Sequence, residues 1–113
     1  MSQITTHILD TALGKPAQGV SVRLSLWEAG QWQVLAQGVT NSDGRVVGLL
    51  PNEQILAAGR YQMHFALECY LQSMQQPIFY PYAEIVFQIT GEGQHYHIPL
   101  LLSPFGYSTY RGS

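Results

Sequence analysis

His95 and His97 stand two residues apart in HYHIPLLL, and His7 sits in the Thr-rich stretch QITTHILD at the other end of the chain. Residues two apart on a strand project from one face, so His95 and His97 could ligate a metal, and a third ligand from elsewhere would suit zinc. A neutral imidazole can also serve as a base near pH 7, and the partly polar setting of His7 fits that role. For any one histidine, a plain surface position competes with both readings. Arg45 and Arg111 are two of only five basic residues, and each falls at the end of an expected strand. A guanidinium offers a fork of donors for a carbonyl, a ureide or an oxyanion; simple solvation is the ordinary alternative. His64, between Met63 and Phe65, reads as a solvated or structurally bonded histidine. Cys69, at the start of an expected helix, reads as a small buried apolar residue, with a stabilised thiolate as the rival.

Several chemistries lack their motifs. The chain has no GxxxxGK[ST] loop, no GxGxxG after a strand, no HExxH and no GxSxG, so phosphoryl transfer, dinucleotide chemistry and the commonest hydrolase signature are unsupported. A net charge of -2 with scattered single charges supplies no basic stripe for nucleic acid or anionic lipid. No apolar run approaches the ~20 residues of a membrane span, and the first thirteen residues lack the pattern of a secretory signal. The single cysteine rules out an internal disulfide framework and any multi-cysteine metal site. A cytoplasmic location is the expectation, or a periplasmic one if a signal has been removed.

The elements that must carry these residues are short strands. Residues 3–10 form a first strand, ended by the Gly- and Pro-containing segment ALGKPAQG. Val20 to Trp27 alternates Val20, Val22, Leu24 and Leu26 against polar neighbours and forms a second. A turn at Gly30 leads to a third over 32–39. Asp43-Gly44 makes a tight turn that sets Arg45 at the start of a short fourth. After a loop, RYQMHFAL is a fifth strand, 68–76 a short helix limited by Pro77, and YAEIVFQIT a sixth. Gly91–Gly93 turns the chain into a seventh, 94–102, and Ser103-Pro104 separates it from an eighth, 105–111. Eight strands in two sheets with one helix predict a single all-β domain, an antiparallel β-sandwich, over residues 1–113. Only 11% of residues are charged, well under the usual ~25%, which favours an oligomer whose subunits cover part of the uncharged surface over a monomer whose surface is rich in Gln, Ser and Thr.

Two segments, THILDTALGKPAQGV and HYHIPLLLSPFGYSTYRGS, together with TNSDGRVVGLLP between them, closely resemble the transthyretin-like family, and within it the 5-hydroxyisourate hydrolase branch that ends in Tyr-Arg-Gly-Ser. The likeness covers most of the chain and is loosest around 27–36 and 73–82. It implies a transthyretin-like sandwich assembled as a homotetramer, with sites where subunits meet in a central channel. It also implies hydrolysis of 5-hydroxyisourate to 2-oxo-4-hydroxy-4-carboxy-5-ureidoimidazoline in urate catabolism, without metal or organic cofactor. Carried over by position, His7, Arg45, His97 and Ser113 are the expected catalytic residues, and Tyr110, Arg111 and Gly112 the expected substrate-binding ones. On this reading Gly112 permits a close turn and Arg111 pairs with the terminal carboxylate, while His95 stands behind His97. Phe105 departs from the family, which commonly has tyrosine there. The hormone-carrier branch shares the sandwich and the LLSP segment but lacks the Tyr-Arg-Gly-Ser ending, so ligand carriage without turnover is the weaker inference.

Overall fold

Val20, Val22 and Leu24 are buried while Ser21 is exposed and Arg23 half-buried, the pattern of a strand with one face in a core. The computed structural model describes residues 2–113 and places this stretch in β4 (Ser21–Glu28), the second strand of a four-stranded sheet. Its partner β5 (Gln31–Val39) follows across a two-residue turn in which Ala29 and Gly30 have φ of 53° and 77°, the paired positive angles that match strand twist in a tight hairpin. On its other side lie β6 (Gly59–Ala66) and then β7 (Tyr82–Ile89), giving the order β5-β4-β6-β7, antiparallel throughout. Tyr61, Met63 and Phe65 of β6 are all buried, as their spacing predicts. A register shift between Leu24 and Ser25 is a bulge, and Ser25 is buried beside it.

The second four-stranded sheet has the order β10-β9-β2-β3, built from β2 (Ile8–Asp10), β3 (Lys15–Pro16), β9 (Leu100–Ser103) and β10 (Gly106–Thr109). A two-stranded piece, β1 (Ile4–Thr5) with β8 (Tyr96–His97), extends it. Ile8, Leu100 and Leu102 from this layer meet Leu24, Met63 and Phe65 from the other in one apolar cluster, so the fold is the expected β-sandwich. Each fully buried aliphatic or aromatic side chain of that cluster contributes about 1.5–3 kcal/mol from burial.

Among the described residues the strands are ten rather than eight. The expected first strand is divided at Thr6, whose hydroxyl donates to the Ile98 carbonyl at 2.6 Å. The seventh is divided at Pro99, which has no N–H for a ladder. Two pairings, β1 with β8 and β2 with β9, are parallel. The expected fourth strand does not form: Arg45 makes only an isolated bridge to His7. Beyond it the chain turns repeatedly, with Gly48 at φ 65°, and buries Val46, Leu49, Leu50 and Leu56 without a ladder.

The helix, α1 (Glu68–Ser73), is shorter than expected. It stops before Gln75, whose φ of 56° leaves the helical region. Its Tyr70 hydroxyl donates to buried Asp10 at 2.7 Å. Burial and this carboxylate both push the Tyr70 hydroxyl above the ordinary phenol range. The other Asp10 oxygen accepts from the Ala12 and Leu13 amides, both at 3.0 Å, so one carboxylate closes the turn after β2 and anchors the helix.

Candidate active site on the outer face of the second sheet

Strand register decides which side chains can meet. Ile4 lies opposite Tyr96 and Ile8 opposite Leu100, four residues on along each chain, so the two parallel segments keep one register across the break at Pro99. Gly106 lies opposite Ser103 and Gly112 opposite His97: six residues on along the tail and six back along its partner. The tail therefore keeps its antiparallel register through residue 112, although the ladder pauses at Pro99. Opposed residues share a face of a sheet and successive residues change face. The even positions Ile4, Ile8, Tyr96, Ile98, Leu100 and Leu102 are buried in the core. The opposite face carries Thr5, His7, His95 and His97, and the tail brings Tyr110 and Gly112 onto it.

These residues, with Arg45 and Ser113, line an open cavity of about 500 Å³. Thr5 stands opposite His97 in β8, and its hydroxyl lies 2.8 Å from Nδ1 of His97 and 2.9 Å from Nε2 of His95. The two imidazoles are near parallel, 16° between planes with centroids 6.4 Å apart. The Gly112 amide donates to the His97 carbonyl at 2.8 Å, which lays the tail against the ring. A Cβ at Gly112 would stand 2.5 Å from Cδ2 of His97. Close approach, rather than a turn, is thus what this glycine provides, a correction to the expectation from the family signature.

Arg45 reaches the same cavity through a small loop. The Asn41 side-chain oxygen accepts from the amides of Asp43 and Arg45 at 2.9 and 3.1 Å. Gly44, at φ 74°, packs against the backbone oxygen of Ile8 too closely for any side chain. The Ile8 amide in turn donates to the Gly44 carbonyl at 2.8 Å. Arg45 is consequently held opposite His7 in an antiparallel bridge, its side chain exposed.

Burial is the main reason that His97 titrates below its ordinary value of 6.5, and the positive charges or partial charges of Arg45, His95 and His7 add to the effect; hydrogen bonding to the Thr5 backbone acts in the opposite sense. A histidine so placed stays neutral at pH 7 and keeps a lone pair available.

Of the seven expected site residues, His7, Arg45, His97, Tyr110, Gly112 and Ser113 come together in this cavity. Arg111 does not. It lies opposite Ile98 on the core side of the tail, its guanidinium 4.5 Å from the centre of the Tyr96 ring, beside Ile85 and Phe87. Stacking on an aromatic face holds it there, and no ion pair joins it to the terminal carboxylate among the described residues. Thr5 was not singled out by sequence; the signal lay in its position two residues before His7, on the same strand face. His64 pairs with Glu84 at 3.0 Å and stacks on Tyr82, in the structural role anticipated for it. Cys69 is exposed. Among the described residues no group of three His, Cys, Asp or Glu side chains is arranged to hold a metal ion.

Residues 4–112 match the model of the family described as HIUase/Transthyretin. The chain is 54% identical over 114 residues to a 5-hydroxyisourate hydrolase from Mus musculus, covering 99% of this chain and 96% of the relative. It is 46% identical to a 5-hydroxyisourate hydrolase from Caulobacter vibrioides over the full length of both. Among solved structures, sea bream transthyretin in complex with thyroxine superimposes with a TM-score of 0.91 at 35% identity, covering 98% of this chain and 95% of that one. The 5-hydroxyisourate hydrolase of Klebsiella pneumoniae gives 0.83 at 39% identity, covering 97% and 98%.

Proposed function

Because this chain belongs to the HIUase/Transthyretin family, we propose that it hydrolyses 5-hydroxyisourate to 2-oxo-4-hydroxy-4-carboxy-5-ureidoimidazoline in urate catabolism, using the cavity that carries His7, His97, Arg45 and the tail. The observation that carries this reading is the meeting of a half-buried, neutral histidine with an exposed guanidinium in one open cleft. His97 takes a proton from water, whose oxygen forms the new bond to a carbonyl carbon of the six-membered ring. Arg45 stabilises the negative charge that develops on the carbonyl oxygen. Collapse of the tetrahedral species breaks the C–N bond, and the leaving nitrogen receives the proton. His7, bridged through its backbone to Arg45, shares the handling of that proton. Ser113 hydrogen-bonds substrate or water through its hydroxyl, and Tyr110 walls the cleft. These steps use side chains alone and call on no cofactor.

The proposal includes assembly as a homotetramer with the cleft at a subunit meeting point. Support comes from large apolar residues left in solvent, Phe79, Val86, Phe105 and Tyr107 among them. The proposed location is the cytoplasm, where an exposed thiol such as Cys69 stays reduced.

A direct assay generates 5-hydroxyisourate with urate oxidase and follows its ultraviolet absorbance with and without this protein. Acceleration is expected, unchanged by chelators; decay at the spontaneous rate would remove the hydrolase reading. The likeness to transthyretin solved with thyroxine favours one rival, a carrier, which would bind ligand without turnover. The pH profile is a further expectation. The base must be unprotonated, and a lowered His97 value extends that form toward acid. On the acid side kcat/KM should therefore hold level through neutrality and fall only below pH 6.5, about tenfold per pH unit. An acid limb centred above 6.5 would exclude His97 as the base.

A further inference from the structure

A hydroxyl group has one proton to donate, yet Thr5 Oγ1 lies within hydrogen-bonding distance of ring nitrogens on two histidines, 2.8 Å from His97 Nδ1 and 2.9 Å from His95 Nε2. The oxygen cannot donate to both, so at least one imidazole donates its N–H to it. For His97 the two polarities have opposite consequences. If Thr5 donates to His97, the neutral ring carries its proton on Nε2 and has no lone pair left for water. If Thr5 accepts from His97, the proton sits on Nδ1 and the Nε2 lone pair is free.

The surroundings favour the second polarity. No hydrogen bond among the described residues uses His97 Nε2, the nitrogen left for the cleft once Nδ1 is engaged. Arg45 brings a fixed positive charge into that cleft, and its cation acts on the His97 ring. A lone pair facing a cation is favoured over an N–H dipole facing it. His95 completes the arrangement by offering Nε2 as the acceptor that points the Thr5 proton away from His97. The opposed register of Thr5 and His97, with His95 two residues earlier on the same face, holds the hydroxyl between the rings.

From this we infer that Thr5 is a positioning residue for the reaction, its hydroxyl accepting from His97 Nδ1–H and donating to His95 Nε2, so that His97 is held in the tautomer whose Nε2 can take a proton from water. The inference rests on the proposed role of His97. It assigns His95 a duty distinct from chemistry: to orient the hydroxyl that orients the base. A base held in turn by a third group is a recurrent arrangement in catalytic sites.

The first measurement needs no substitution. In the intact protein labelled with 15N-histidine, at a pH above the histidine range, correlations between ring nitrogens and ring protons report the tautomer directly. His97 is expected as the Nδ1–H form; the Nε2–H form would overturn the inference. Kinetics supply the second measurement. Thr5→Val keeps the branched shape and should lower kcat roughly 10- to 100-fold, the usual scale for partners that orient a functional histidine, while KM changes little. Thr5→Ser should restore most of the rate, and His95→Gln, which retains an acceptor near Nε2, should be milder than His95→Leu. Wild-type kcat in Thr5→Val would defeat the inference. His97→Asn separates the two levels. Full turnover in that variant removes His97 as the base, whereas lost turnover beside an unaffected Thr5→Val removes only the tautomer lock.

Discussion

With asparagine in place of His97, kcat for 5-hydroxyisourate is expected to fall by roughly 10²- to 10⁴-fold, the range that a positioned general base supplies. The substitution isolates chemistry from architecture. An asparagine side-chain amide can occupy the place of Nδ1 and keep the contact with Thr5, but nothing in it reaches the place of Nε2. The backbone bridge to Gly112 involves only the residue 97 carbonyl and survives. The half-buried ring is one outer-face side chain of a sheet whose core lies on the other side, so the thermal midpoint should move little. Substrate affinity should also be largely kept, because Arg45 and the tail remain. Turnover within a few-fold of the parent would transfer the base role elsewhere, with His7 the next residue to replace.

Gly112→Ala is expected to cost about 10²-fold in kcat/KM, the scale of a ~1 Å misplacement of a reacting group. The added Cβ would lie 2.5 Å from the His97 ring, and neither side can give way cheaply. The ring is tied at Nδ1 to Thr5 and lies near parallel to His95. The tail is tied by the Gly112 amide to the His97 carbonyl and by Arg111 to Tyr96. Either the imidazole turns away from its hydroxyl or the last residues lift from the sheet, and in both cases Ser113 and His97 lose their relative placement. Global stability should change by no more than ~0.5 kcal/mol, as for other surface positions. Parent-like activity in this variant would mean that the tail does not act through His97.

The long strands were legible because burial imposes a period on them. Val20 to Leu26 and Tyr61 to Leu67 each alternate, and each lies with its apolar set inward. The turn at Ala29-Gly30 was legible for a local reason, since a tight hairpin requires positive φ. Parallel pairing was not, because nothing in QITTHILD or HYHIPLLL says which neighbour it will have or in which direction. The helix boundary and the missing fourth strand fall where long-range packing overrides local preference: Val46 to Leu50 is apolar enough for a strand, but Val46, Leu49, Leu50 and Leu56 reach the core from a turning chain. As for the site, residue types and family signature named His7, Arg45, His97, Tyr110, Gly112 and Ser113, while register decided the outcome for the rest. Arg111 was grouped with its neighbours in sequence, yet a strand sends adjacent side chains to opposite faces. Thr5 was passed over because a hydroxyl acquires meaning only when two imidazoles are brought to it from ninety residues away.

The unbroken register of the tail means that the distance along the chain from Gly106 to Gly112 behaves as a ruler marked in twos. A single residue inserted or removed between them would exchange the faces of everything beyond, sending the Arg111 guanidinium into the cleft and turning the Gly112 contact toward the core. A change of two would keep the faces and shift only the reach. Length variants in this stretch are thereby sorted by parity, whereas an extra residue in the loop of Pro104 and Phe105, outside the ladder, leaves the ruler uncut.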